Sequence, residues 1–135
     1  MQLNGVVHRK LALLDESVLR LENFLSGTTL DQFKQDDLKQ AAVERVLQVA
    51  VEIMIDIAAR IIAIKGGGPA ATAVETIERL VAMRVLPTSE PYVDMVRFRN
   101  RIVHGYTDID PAMIYTVATT RRDDFRKFRD AVDRL

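Results

Sequence analysis

Apolar residues recur along this chain at steps of three and four. Leu3, Val7, Leu11, Leu14, Val18, Leu21 and Leu25 trace one helical face, and Ser26-Gly27-Thr28-Thr29 ends it. Thr29-Leu30-Asp31-Gln32 fits a capping box, in which the threonine and glutamine side chains satisfy each other's backbone N–H groups, and predicts a short helical turn. Asp36 or Asp37 caps the longest element, roughly Leu38 to Lys65. Along it Glu44, Gln48, Glu52, Asp56 and Arg60 fall at steps of four and form one polar stripe, while nearly everything else from Val43 to Ile64 is apolar. A helix lying on a surface shows about 100° of apolar arc. This one shows far more, which places it at the centre, covered by its own chain on one side and by a second copy on another. The stripe has two readings: an Asp56–Arg60 pair on a solvated seam, or Glu52 and Asp56 facing a polar cleft.

Gly66-Gly67-Gly68-Pro69 stops the long helix. It is no phosphate-binding loop of the P-loop kind, since no Gly-Lys-Ser/Thr follows and no strand precedes it. Thr72-Ala73-Val74-Glu75 is a capping box for a helix to about Val85, and Pro87-Thr88-Ser89 breaks the chain again. The next helix runs from about Glu90 to His104, with Pro91 in its first turn and Gly105 as a left-handed terminator. Asp110-Pro111 starts a last helix carrying Ile114, Ala118, Phe125, Phe128, Val132 and Leu135. No run of period-two strand residues is present. The expected fold is all-α: one domain over residues 1–135, a bundle of about five helices with one long central helix.

Composition narrows the function. With 135 residues, 48% hydrophobic and 28% charged, the chain can bury a core, and disorder is excluded for most of it. Lys+Arg and Asp+Glu are both 19, so the net charge is zero. A generic polycation is therefore excluded, and a polyanion must be met by a local patch. There is no cysteine, hence no disulfide, zinc–thiolate site or thiol nucleophile. Two histidines, His8 and His104, do not make a histidine-rich metal centre, and neither metal nor cofactor is expected. The run Leu11 to Leu14 is too short for a signal-peptide core. Val49 to Ile64 is interrupted by Glu52, Asp56 and Arg60, whereas a bilayer span needs about 20 nearly uncharged residues. A cytoplasmic protein without a membrane segment is the expectation.

The informative segment is Arg97-Phe98-Arg99-Asn100-Arg101-Ile102-Val103-His104-Gly105-Tyr106. It holds three arginines, one histidine and no acid, in a chain of net charge zero. Such a segment is where an anionic ligand binds. His104 lies at a helix C-terminus, where carbonyl charge favours imidazolium and the arginines oppose it. Imidazole is the side chain that both takes and gives protons near neutral pH. On an ideal helix Arg99 and His104 point about 140° apart and are separated by about 7.5 Å of rise. One chain does not make a tight site from them unless the helix end distorts. Two copies about a twofold axis bring two arginines and two histidines around one phosphate.

Arg99, four residues, His104, one residue, Tyr106 resembles the Arg-x4-His-x-Tyr signature of HepT-like toxins, within the HEPN superfamily of all-α ribonucleases. Asn100 fits the polar position that follows the arginine. The long helix (Ala42-Val43-Glu44-Arg45 through Asp56-Ile57-Ala58), Asp108-Ile109-Asp110 and Tyr115 are also family-like. Gly105 stands where a larger or charged residue is common. The resemblance covers nearly the whole chain. It implies a metal-independent endoribonuclease, the toxin of a toxin–antitoxin pair, acting as a homodimer on RNA. Its implied partner is an MntA-like minimal nucleotidyltransferase antitoxin, which neutralises the toxin by adding AMP units to the motif tyrosine, here Tyr106. In that reading His104 is the general acid/base, Arg99 holds the phosphate and Asn100 supports them.

Each residue also has a plainer reading. His104 can be a helix-end residue, Arg99, Arg97 and Arg101 solvated positions, Asn100 a helix-end polar group, and Tyr106 a ring packed at a loop. His8 reads as a surface residue beside Arg9-Lys10. The cluster Arg121-Arg122, Arg126-Lys127 and Arg129 reads as solubilising surface, balanced by Asp123, Asp124 and Asp130. The alternative function is a non-catalytic helical dimer that binds nucleotide or a partner nucleotidyltransferase. Zero net charge favours it, and the Arg99/His104 pair favours the nuclease.

Overall fold

The computed structural model describes residues 4–105 and 108–135. Among them are seven α-helices and no strand: α1 (Gly5–Leu25), α2 (Leu30–Lys34), α3 (Asp37–Ile64), α4 (Ala73–Ala82), α5 (Tyr92–His104), α6 (Pro111–Thr120) and α7 (Arg122–Asp133). The starts are set by side chains accepting the N–H groups that a first turn leaves unpaired. Asn4 accepts from Val7 N–H at 3.0 Å, Asp36 from Lys39 N–H at 2.9 Å and Asp110 from Ala112 N–H at 2.9 Å. The Thr29–Gln32 capping box is complete in both directions. At Thr72 only half of one forms: Thr72 accepts from Glu75 N–H at 3.1 Å, while the Glu75 carboxylate accepts from Ala71 N–H at 2.8 Å.

Helix α3 is the central element, and α1, α2, α4, α5 and α6 all pack against it. Leu47, Met54, Ile57 and Ile61 are wholly enclosed along its length. Its polar stripe is a seam at Asp56, whose carboxylate takes Lys10 from α1 at 2.7 Å and Arg60 at 3.3 Å. Gln48 donates to Glu52 at 3.0 Å one turn earlier. The ion-pair reading of the stripe therefore holds at Asp56. Helix α3 ends with Gly66 at φ +83°, where Gly67 N–H reaches back to the Ile62 carbonyl at 2.9 Å and Gly66 N–H to Ala63 at 3.0 Å. The same closing pattern ends α4, but the left-handed residue there is Arg84 at φ +62°.

Three expectations are corrected. The final helix divides at Arg121 (φ −91°, ψ −3°) into α6 and α7, and with the short α2 counted as a helix the expected five or so become seven. The Thr119 and Thr120 hydroxyls bond the Tyr115 and Thr116 carbonyls at 2.8 and 2.6 Å, a back-bonding that bends helices. Asp123 and Asp124 then sit favourably in a fresh first turn. Gly105 is also not left-handed: it leaves α5 in extended backbone, φ −75° and ψ 135°. Helix α5 begins at Tyr92 rather than Glu90, and the Glu90 carboxylate accepts from Asp94 N–H at 3.2 Å.

The basic cluster of α7 is partly structural. Arg126 pairs with Glu22, and Arg129 with Asp15 at 3.1 Å, fastening α7 along α1. Phe125 and Phe128 are enclosed beneath them, and the Phe128 ring meets Tyr92 of α5 edge-on at 5.7 Å. Tyr115 of α6 donates its hydroxyl to the Thr28 carbonyl at 2.8 Å, tying α6 to the turn after α1. No helix among the described residues is long and apolar enough to cross a membrane.

Candidate active site on the fifth helix

Helix α5 is seated by Tyr92, Val93, Met95, Val96 and Phe98, all buried against the bundle, with α3 and α4 packed on it. That leaves the polar residues of its second half to face outward to different degrees. Arg99 and Asn100 are half-buried, and Arg101 and His104 are exposed. The Arg99 Nε is enclosed and has no hydrogen-bond partner among the described residues. A buried guanidinium N–H without a partner is costly and uncommon.

The helix stays regular to its end. Gly105 N–H donates to the Arg101 carbonyl at 2.9 Å, in the α pattern. The end therefore does not distort, and Arg99 and His104 keep the separation of an ideal helix, about 140° and about 7.5 Å of rise. They occupy one segment but different sides of it. Tyr106 lies outside the described residues.

Beyond the end of α5 is a cavity of about 460 Å³ lined by Asp37, Gln40 and Glu44 of α3, Arg101 and Gly105, and Asp108. Burial pushes the Glu44 carboxyl above its usual value of 4.5, and the nearby Asp108 charge adds to it. Sequence reasoning assigned neither residue to the site. The available signal was that Glu44 begins the polar stripe, a carboxylate on a helix that is otherwise mostly apolar. Asp56 behaves oppositely: burial raises it, but hydrogen bonds and charge from Lys10 and Arg60 outweigh that and hold it below 3.8.

The other candidates separate cleanly. Arg97 pairs with Asp94 at 3.6 Å on an exposed face. Arg101 makes no carboxylate pair among the described residues, and its Nη1 lies 3.1 Å from the Met113 sulfur. His8 is exposed on α1. No group of three or more histidine, aspartate or glutamate side chains among the described residues could hold a metal ion.

Comparison with known proteins gives a consistent result. The chain is 26% identical over 132 residues to the mRNA nuclease HepT of Shewanella oneidensis, covering 96% of this chain and 98% of that protein. It is 27% identical over 112 residues to the tRNA nuclease HepT of Aphanizomenon flos-aquae, covering 82% and 76%. The fold superposes with a TM-score of 0.88 on the tri-AMPylated Shewanella oneidensis HEPN toxin solved in complex with its MNT antitoxin, at 26% identity and covering 98% and 100%. A toxin–antitoxin structure with AMP-PNP gives 0.86 at 26% identity, covering 97% and 98%. Residues 14–132 match the family described as Ribonuclease HepT-like, and the chain belongs to that family.

Proposed function

We propose that this chain, a single HepT-like domain, is a metal-independent endoribonuclease that acts as a cytoplasmic toxin and is silenced by modification of Tyr106. The observation that carries the reading is Arg99. It is half-buried, forms no ion pair among the described residues, and sits five positions before an exposed histidine in a chain of the HepT-like family. A cation held without a carboxylate keeps its charge for a phosphate, which a guanidinium grips with two parallel hydrogen bonds.

The chemistry uses the substrate's own nucleophile. His104 takes the proton of a ribose 2′-OH, the 2′-oxygen bonds to phosphorus, and the P–O5′ bond breaks. A proton passes to the departing 5′-oxygen from His104 of a second copy, leaving a 2′,3′-cyclic phosphate and a 5′-hydroxyl. Arg99 offsets the charge that gathers on the phosphoryl oxygens, and Asn100 orients the imidazole or ribose by hydrogen bonding. The homodimer is supported by the separation of Arg99 and His104 around α5. Apolar groups left in solvent support it too: Leu13 and Leu19 are 47% and 56% exposed on α1, and Val103 is 42% exposed beside His104.

Silencing follows from the same electrostatics. The Tyr106 phenol attacks the α-phosphorus of ATP on an MntA-like nucleotidyltransferase, pyrophosphate leaves, and a negatively charged phosphodiester remains beside the arginines. The modified toxin in complex with an MNT antitoxin from Shewanella oneidensis supports this partner class. The test is RNA cleavage in EDTA. Wild type should cut RNA but not a 2′-deoxy substrate, and His104→Ala should lose about 10²–10⁴-fold in rate with its fold intact. Activity that vanishes in EDTA, or persists on the deoxy strand, would falsify the mechanism. Full activity of His104→Ala would move the site elsewhere and leave the non-catalytic dimer as the better account. Co-expression with the partner should add AMP units by mass, absent in Tyr106→Phe.

A further inference from the structure

A groove of about 390 Å³ runs between α5 and α6, on the opposite flank of Arg101 from the acidic cavity. Arg97, Arg101 and Arg121 line it, and Phe98, Met113 and Val117 give it an apolar floor. Asp94 is the one carboxylate on its wall. Arg97 has Asp94 at 3.6 Å and Arg121 has Asp124 at 3.2 Å, while Arg101 meets only the Met113 sulfur among the described residues. At 100° per residue His104 points within about 20° of Arg97 and about 60° of Arg101, so the groove starts at the histidine end of α5 and shares its face.

We infer that this groove carries the single-stranded RNA flanking the scissile phosphate, with backbone phosphates on Arg101 and Arg121 and a base face against Met113 and Val117. The inference rests on the nuclease reading for its starting point. Three guanidinium groups line the groove in a chain with no net charge. Arg97 and Arg121 each pair with one carboxylate, and Arg101 has none among the described residues, which leaves a local excess of positive charge there. Polyanion is the ligand this chemistry selects, and an apolar floor between cations gives the faces of unpaired bases a surface to bury. Double-stranded RNA keeps its bases stacked inside and offers nothing to that floor.

The experiment measures binding of a 2′-O-methyl single-stranded RNA, which presents no free 2′-OH, over a range of salt. Wild type is compared with the double variant Arg101→Gln/Arg121→Gln and with the charge-matched control Lys65→Gln/Arg84→Gln, at exposed positions outside the groove. For single strands the slope of log K against log salt falls by about 0.7 per lost phosphate contact. The double variant should therefore lose about 1.4 in slope and about twentyfold in affinity near 0.1 M salt, with the control close to wild type. Arg101→Gln alone, which breaks no ion pair among the described residues, should lose about half the slope change and covers the case in which the double variant misfolds. Cleavage of the matching unmodified RNA separates the two readings. Wild-type cleavage with unchanged slopes in the variants overturns the groove and leaves the nuclease standing. Groove-dependent binding without cleavage does the reverse. No RNA binding by wild type overturns the inference. So does a variant that keeps RNA binding but no longer captures the purified nucleotidyltransferase, since the groove is then a protein contact.

Discussion

At the scale of single residues, the arginines of this chain differ in how far neighbouring carboxylates engage them. Arg129 and Arg126 are consumed by α1 carboxylates, and Arg60 by Asp56, whereas Arg99 and Arg101 have none among the described residues. This predicts an asymmetric response to conservative replacement. Arg99→Lys keeps a positive charge but loses the planar fork, so RNA affinity should change little while single-turnover cleavage falls about 10²-fold or more. Equal losses in both would reduce Arg99 to a binding cation. Arg84 is a cost of another kind, a side-chain-bearing residue at φ +62° closing α4. Arg84→Gly should raise stability by about 0.5–1 kcal/mol in a urea titration with activity unchanged, because glycine accepts that conformation without steric penalty. An unaltered midpoint would show that the backbone bears no strain there.

At the scale of elements, the two shifted carboxylates of α3 pull stability in opposite directions with pH. Glu44 is raised above 4.5 by burial and by Asp108, so its charged form weakens the fold at neutral pH. Glu44→Gln should therefore melt higher than wild type near pH 7, and the gap should close as pH falls through the raised value toward 4.5. Asp56 is depressed below 3.8 by Lys10 and Arg60. Its contribution is present above that value and is lost as pH falls through the lower folded one, so Asp56→Asn should be destabilised at neutral pH and approach wild type in acid. Melting curves across pH check both, and parallel curves would refute both. The helices themselves were legible in the sequence because caps and periodicity are local: Asp36, Thr72 and Asp110 each cap where their spacing says. The break at Arg121 was not, because no glycine or proline marks it. Threonine hydroxyls bend α6 and the core turns the chain toward Phe125 and Phe128. The motif was legible as a string, but Glu44 reaches the end of α5 only through the packing of α3 against it.

At the scale of the whole molecule, the separation of Arg99 and His104 around a regular helix makes subunit mixing a sharp test of the proposed dimer. Wild type refolded with an equal amount of His104→Ala should show about a quarter of the activity of the same total amount of wild type, because the shared site needs His104 from both copies and only a quarter of the dimers then have both. About half of the wild-type activity would place a complete site in each chain. A melting temperature that rises with protein concentration should accompany the dimer.

The fastening of α7 along α1 has a consequence for a chain still being made. Helix α1 leaves the ribosome first, yet Glu22 and Asp15 meet their partners only after α7 has followed. Tyr92, at the root of the motif helix, waits for the same event, since Phe128 is what its ring packs against. Domains close as units rather than piece by piece. A nascent chain halted just after Gly105 therefore carries Arg99, Asn100 and His104 without the scaffold that seats them, and the motif helix is seated only once α7 has emerged.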